Sequence, residues 1–206
     1  MPYKLIYFPV RGRGQALRYL AVDNGLELQE EVVSDGAWSA LKPKTPLGQL
    51  PVFQDGDLHL GQSNAILRYV ARKHGLYGKN DREAALIDMI NDQQEDIRQT
   101  YLHLIYQNYD AGKAAYIKNL PTQLAVLRKF LRKSRRRRIL RWRQDQFCSL
   151  HHLSSAGQLE HPLPSHPGWA SEAEAFHSRI ASREKITKHR ATDASKKLPI
   201  NGNGKQ

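Results

Sequence analysis

The stretch Pro51-Val52-Phe53-Gln54-Asp55-Gly56-Asp57-Leu58-His59-Leu60-Gly61-Gln62-Ser63-Asn64-Ala65-Ile66-Leu67-Arg68 decides how the first third of the chain is read. Pro51-Val52-Phe53 and Leu58-His59-Leu60 are short β-prone runs on either side of Asp55-Gly56, a dipeptide suited to a tight hairpin turn. Ser63 then opens a helix, with Ala65, Ile66, Tyr69 and Val70 on one face and Gly75 placed to stop it. The stretch is therefore a ββα unit. Upstream, Leu5 to Phe8 is bulky and β-prone and ends at Pro9. After it, Ala16, Leu17, Leu20 and Ala21 recur at helical spacing as far as Asn24-Gly25, and Glu31-Val32-Val33 reads as a second short strand. That half is βαβ.

The order βαβ followed by ββα predicts an α+β domain over residues 1–78, a mixed four-stranded sheet covered by helices on the thioredoxin-like plan. Lys79-Asn80-Asp81 makes a polar linker, beyond which strand signals vanish. Ala84, Ala85, Ile87, Met89, Ile90 and Ile97, then Tyr101, Leu104 and Ile105, trace long amphipathic helices. Tyr116 to Leu131 supplies another, interrupted by Pro121. Residues 81–206 are thus predicted to be an all-α second domain. Within it the text changes at Arg132-Lys133-Ser134-Arg135-Arg136-Arg137-Arg138, which leads into a window rich in Arg, His, Ser and Pro up to about residue 178. Ile139, Leu140, Trp142 and Phe147 are apolar, but from Ser154 to His166 apolar residues are too sparse to offset chain entropy. The window is expected to be poorly ordered and the helical domain incomplete.

The chain has 206 residues, enough for one or two small domains with a real core. Its formal charge of +12 suggests a polyanionic partner, yet the distribution argues otherwise. Residues 1–131 hold 16 Lys and Arg against 14 Asp and Glu, and residues 132–206 hold 16 against 6. The lone cysteine, Cys148, excludes an internal disulfide, which makes a reducing compartment the default. Met1 to Val10 lacks the length and flanks of a signal peptide, and no stretch reaches the roughly 18 apolar residues of a membrane span. A cytoplasmic protein is expected. No metal site is expected either: the nine histidines are scattered, and the adjacent His151 and His152 lack partners at ligand spacing. Gly12 and Gly14 make no phosphate loop.

Tyr7 and Phe8 end the first strand, Arg13 follows in a loop, and Trp38 and Lys42 lie in a polar connection. Gln49-Leu50-Pro51 precedes the hairpin, and Gln62-Ser63 caps the next helix. This ordered set, with Tyr7-Phe8-Pro9-Val10-Arg11-Gly12-Arg13 at the start and Gln62-Ser63-Asn64-Ala65-Ile66-Leu67-Arg68 later, closely resembles the pi-class cytosolic glutathione transferases. Leu76-Tyr77-Gly78-Lys79, Ile105-Tyr106-Gln107-Asn108-Tyr109 and the closing Leu198 to Gln206 extend the resemblance, which covers residues 1–131 and resumes near Arg179.

The resemblance implies conjugation of reduced glutathione to electrophilic, mostly apolar compounds, with glutathione as co-substrate and a homodimer as the working form. A thiol with a pKa of about 8.5 is only a few per cent ionised at neutral pH, so such a site must favour the thiolate. Tyr7 is implied to donate its hydroxyl to the sulfur, with Arg13 adding positive potential. Pro51 is implied to be cis, aiming the backbone of Leu50 at the peptide. Ser63 at a helix start, assisted by Gln62, suits the γ-glutamyl carboxylate. Trp38, Lys42 and Gln49 are implied to hold the glycyl end, and Asp96 to reach the γ-glutamyl ammonium from the partner subunit. Phe8, Val10, Leu102, Tyr106 and Gly202 are implied to line the acceptor pocket.

Taken singly, these residues have plainer readings. A strand-end tyrosine is a core or rim residue, Ser63 an N-cap, Asp96 a solvated helix charge, Trp38 a packing anchor and Tyr106 a core residue. A catalytically weak ligand-binding or signalling-interaction protein on the same fold is the competing function. A third reading, nucleic-acid binding through Arg132, Lys133, Arg135 to Arg138, Arg141 and Arg143, lacks any accompanying recognition motif.

Three departures from the family stand out. Gly14 and Thr45 replace reactive cysteines, so thiol switching is not expected there, and Leu47 replaces the aromatic residue that plugs the neighbouring subunit. The window 132–178 lacks the Ser-x-x-Asp capping box that starts the family's central helix. Because both flanks stay in register, the window points to a reading-frame slip or an aberrant exon. Its loss of apolar helix would uncover faces at Ala84 to Ile97 and Tyr101 to Ile105, at a cost of several kcal/mol against a total stability of about 5–15.

Overall fold

A computed structural model describes residues 2–136 and 181–205. The chain divides into two compact units, Met1–Leu76 with Ser182–Gly204, and Tyr77–Ala181 with Lys205–Gln206.

The first unit carries a sheet of four strands in the order β2-β1-β3-β4, with β1 at Tyr3–Tyr7, β2 at Leu28–Val32, β3 at Val52–Asp55 and β4 at Leu58–Leu60. β1 pairs parallel with β2, from Tyr3 opposite Leu28 to Tyr7 opposite Val32, and antiparallel with β3, which returns to β4. This is the thioredoxin-like arrangement that the βαβ and ββα order implies. Leu5 and Phe53 face each other in the ladder and are fully buried, which pins the register. β2 starts three residues earlier than the sequence suggests. Gln29 to Val32 are all exposed, so backbone pairing with β1, not an alternating apolar pattern, makes the strand.

Helices α1 (Gln15–Asn24) and α3 (Ser63–Lys73) bury Leu17, Leu20, Ile66 and Val70. The connection after β2, read from sequence only as polar, contains a helix, α2 (Asp35–Leu41), and a 3-10 turn at Lys42–Lys44. Trp38 and Leu41 dock on the buried cluster of Ile6, Val33 and Val52. Only Trp38 and Leu41 among its seven residues are large and apolar, too few for a readable period; tertiary docking holds the helix.

The second unit holds α4 (Asp81–Gln107) and α5 (Tyr109–Arg136), which pack on one another. Asn80 caps α4 by accepting from the Glu83 N–H at 3.0 Å, while the Glu83 carboxylate accepts from the Lys79 N–H at 2.7 Å. α4 is continuous because Ile97, Tyr101, Leu104 and Ile105 keep one buried face across the polar Arg98-Gln99-Thr100. α5 continues past Pro121, the expected break. Leu120 and Leu124 on either side are buried, and their packing outweighs the local cost of the missing N–H.

Two short helices close the described chain, α6 (Glu184–Ala191) and α7 (Asp193–Lys197). Residues 182–204, grouped from sequence with the helical domain, belong with the sheet-bearing unit. Fully buried Ile186 and an ion pair between Arg183 and Asp23 at the end of α1 bind them there. The Arg, His, Ser and Pro-rich window beyond Arg136, with Trp142, Cys148, His151 and His152, lies outside the described residues. Among the described residues no helix is long and apolar enough to cross a membrane.

Candidate functional site

β1 ends at Tyr7, which is buried, and the chain turns through Phe8 to Arg11 into a 3-10 turn at Gly12–Gly14 that leads directly into α1. The turn folds back over the tyrosine, and the Arg13 N–H donates to Tyr7 Oη at 2.8 Å. Two glycines permit this approach. Gly12 has φ +35°, and a Cβ there would lie 2.5 Å from Tyr7 Oη; a Cβ on Gly14 would lie 2.9 Å from Tyr7 Cδ1. The loop is held from two sides. Arg18 Nη1 donates to the Val10 and Arg11 carbonyls at 3.0 and 3.3 Å. The closing segment supplies acceptors, with Arg11 N–H to Pro199 O at 2.8 Å and Gly12 N–H to Ile200 O at 3.2 Å.

Beside this loop the Leu50–Pro51 bond is cis, and Gln62 Nε2 donates to Gln49 Oε1 at 3.1 Å. Gln62 has φ +64° and ψ 105°, an unusual backbone for a residue with a side chain. Ser63 is the first residue of α3, so the N-cap position belongs to Gln62, one residue before the serine. The Ser63 hydroxyl lies 3.5 Å from Arg13 Nη1, which links the α3 start to the Tyr7 loop. A helix start offers backbone N–H groups and the positive end of its dipole to an anion.

A sequence model described as the glutathione S-transferase N-terminal domain matches residues 3–72. Glutathione S-transferase P 1 of Bufo bufo is 45% identical to the chain over 99% of each protein, and glutathione S-transferase P of Homo sapiens is 43% identical over 100% of this chain and 99% of its own. The chain belongs to the pi-class glutathione S-transferases. A solved pi-class glutathione S-transferase from Onchocerca volvulus covers 100% of both chains with a TM-score of 0.90 and 33% identity.

The remaining predicted positions of this transferase divide between its units. Trp38 is half-buried and stacks edge-on against Phe8 at 5.7 Å, so it is a packing anchor whatever else it does. Lys42 and Gln49 are exposed, Leu50 and Val10 half-buried, and Gly202 exposed on the closing segment. Asp96 is exposed on α4, where Leu102 is half-buried and Tyr106 is 56% exposed, so Tyr106 is no core residue. The first unit brings together Tyr7, Arg13, Gln49, Gln62 and Ser63. Asp96, Leu102 and Tyr106 belong to the other unit.

Sequence reasoning missed Arg18 and the backbone acceptors of Pro199 and Ile200. An arginine between Leu17 and Tyr19 in an amphipathic helix reads as a solvated charge, yet this one is 3% exposed. Glu30 on β2 makes the burial tolerable, accepting from Arg18 Nε at 2.9 and 3.1 Å. Thr45 bonds its hydroxyl back to the Lys42 carbonyl at 2.8 Å. Among the described residues no cluster of His, Cys, Asp and Glu is placed to hold a metal ion.

Proposed function

We propose that the protein conjugates reduced glutathione to electrophilic, mostly apolar compounds, with Tyr7 stabilising the bound thiolate. The observation that carries this reading is the donation of the Arg13 N–H into Tyr7 Oη. Drawing density from the phenol oxygen polarises its O–H and makes it a stronger donor to an anion. The Arg13 side chain, reaching towards Ser63, adds positive potential on the same side of the loop. Ser63, Gln62 and Gln49 at the start of α3 suit the γ-glutamyl carboxylate and its neighbouring backbone, with Trp38 and Lys42 at the glycyl end. Leu50, before the cis proline, offers backbone hydrogen bonds to the peptide. In the reaction the sulfur lone pair forms a new S–C bond, the leaving group departs with its bonding pair, and the thiol proton passes to solvent. The protein's share is ionisation and alignment.

Phe8, Val10, Leu102, Tyr106 and Gly202 line the acceptor side in this reading, and the electrophile's apolar character follows from theirs. The working form is a cytoplasmic homodimer in which Asp96 meets the partner's ligand. Leu47 is 57% exposed and rests on Gly61, in keeping with a residue offered to a second subunit. A smaller plug than an aromatic ring buries less area, so the dimer is weaker than one closed by an aromatic residue.

The test is Tyr7→Phe, with the bound thiol titrated by its ultraviolet thiolate absorbance and turnover followed with an aryl halide. Loss of the hydroxyl raises the thiol midpoint by one unit or more, about 1.4 kcal/mol, and lowers kcat/KM about tenfold or more below the midpoint. An unmoved midpoint ends the Tyr7 mechanism. Absence of any turnover by folded, glutathione-binding protein ends the enzymatic reading in favour of a ligand-binding one.

A further inference from the structure

We propose that Arg18, a residue with no place in the thiol chemistry itself, is the positioning residue that sets the Tyr7 hydroxyl. The inference rests on the thiolate-stabilising reading of Tyr7. A guanidinium presents five donors in one rigid plane, and the structure occupies two edges of that plane with different tasks. One edge grips Glu30 on β2: Nε donates to the carboxylate at 2.9 and 3.1 Å and Nη2 lies 2.9 Å from Oε2. The other edge, Nη1, faces the Val10 and Arg11 carbonyls at 3.0 and 3.3 Å and Gln15 Oε1 at 3.3 Å. Arg18 therefore ties the β1–α1 loop to the edge strand of the sheet.

That loop places the Arg13 N–H 2.8 Å from Tyr7 Oη. Val10 and Arg11 lie between the tyrosine and that amide, and the Arg11 carbonyl also accepts from the Gln15 N–H at 2.9 Å, where α1 begins. A carbonyl shared between the guanidinium and the helix start cannot rotate without losing both donors. With the carbonyls turned towards Arg18, the amides that share their peptide planes, Arg11 and Gly12 N–H, point the opposite way, towards Pro199 O and Ile200 O. The Arg13 N–H that meets Tyr7 Oη is the next amide, one peptide plane further on. Backbone planarity couples the two sides, so the direction of the amides follows from where the carbonyls are held. Lysine at this position cannot reproduce the arrangement. Its ammonium is a compact point charge whose three donors diverge, and it cannot span a carboxylate and two carbonyls in one plane.

A purely structural arginine and a positioning arginine differ in what their loss does to the chemistry. Structural damage lowers turnover at every pH. A displaced Arg13 amide weakens the Tyr7 O–H as a donor and raises the thiol midpoint, so activity falls below the midpoint and recovers above it. The experiment compares wild-type protein with Arg18→Lys, Glu30→Gln and Tyr7→Phe, reading glutathione affinity by calorimetry, the bound thiolate by ultraviolet absorbance against pH, and turnover across the same range. Arg18→Lys is expected to raise the midpoint by about one unit, a tenfold loss of thiolate below it, with glutathione affinity held within about threefold and turnover converging on wild type at high pH. Glu30→Gln shifts it the same way by less, and because that carboxylate is 35% exposed the variant folds and decides the matter should the lysine variant not. A folded variant whose midpoint coincides with wild type, while Tyr7→Phe moves, overturns the role of Arg18 alone. An unmoved Tyr7→Phe overturns the tyrosine reading and this inference with it.

Discussion

At the scale of single residues, the candidate site depends on what is missing as much as on what is present. Tyr7 is covered by Gly12 and Gly14 at distances where a methyl group has no room. The cost of a side chain differs at the two positions. At Gly12 the backbone also lies at φ +35°, a region L side chains rarely adopt, so Gly12→Ala combines a clash at the hydroxyl oxygen with backbone strain. Gly12→Ala is expected to lower kcat/KM about tenfold or more and to raise the bound thiol midpoint, while leaving the unfolding transition cooperative; titration of the bound thiolate checks it. At Gly14 the backbone is ordinary and the contact is with the ring edge, so an added methyl group moves the ring and not the loop. A larger side chain there needs room the present Tyr7 position does not leave. The grouping of Tyr7, Arg13, Gln62 and Ser63 in the candidate site was legible in sequence because they form an ordered set, whereas the place of Arg18 beside it was not, since burial of a charge is decided by the partner it meets.

At the scale of elements, α6 is the informative piece. It lies against α1 with Ile186 fully buried, and His189 packs edge-on to Tyr19 at 5.8 Å with Nε2 buried and without a hydrogen-bond partner. Burial, reinforced by the Arg18 guanidinium and opposed by the Glu30 carboxylate, holds the His189 pKa below the ordinary histidine value of about 6.5. The neutral ring is thus the folded form. Above that ordinary value both folded and unfolded histidine are neutral and pH has no effect through this group. As pH falls below it the unfolded chain takes up the proton first, so stability declines until the depressed folded value is passed. His189→Phe is expected to flatten this decline, which denaturant midpoints measured from pH 7.5 down to about 5 detect. Asp55 runs in parallel at lower pH. Its carboxylate, lowered in pKa chiefly by the hydrogen bond from Lys73 and then by that from Tyr69, joins the hairpin to α3 and loses its contribution as acid protonates it. None of this was visible in the chain as text, because α6 has no apolar stripe: Ile186 alone is buried among charged neighbours.

At the scale of the whole molecule, the grouping of the chain end with the sheet ties residue positions far apart in sequence into one unit. Arg183 and Lys185 meet Asp23 at the end of α1, and the carbonyls of Pro199 and Ile200 meet the Tyr7 loop. The first unit therefore needs residues 182–204 for its own core as well as for its site. Ile186→Ala, at a fully buried position, is expected to destabilise this unit by about 2–5 kcal/mol and to reduce glutathione binding in proportion to the unfolded fraction; chemical denaturation followed with and without glutathione measures both.

What the sequence determined by itself was whatever rests on local chemistry. The Asp55-Gly56 turn, the run of apolar residues at strand or helix spacing and the ordered polar set from Tyr7 to Ser63 each carry their signal within a few neighbouring residues. They were enough for the fold class and the family, and they named the residues of the candidate site. The tertiary structure alone decided the helix at Asp35–Leu41, the early start of β2, the passage of α5 through Pro121, the allegiance of residues 182–204 and the burial of Arg18. In each case the local preference is weak or adverse, and the energy that outweighs it comes from a partner distant along the chain: Val33 and Ile6 beneath Trp38, the β1 backbone beside β2, Glu30 across from Arg18. Pairings of that kind have no local spelling, because the free energy of burial and ion pairing belongs to two places in the chain at once.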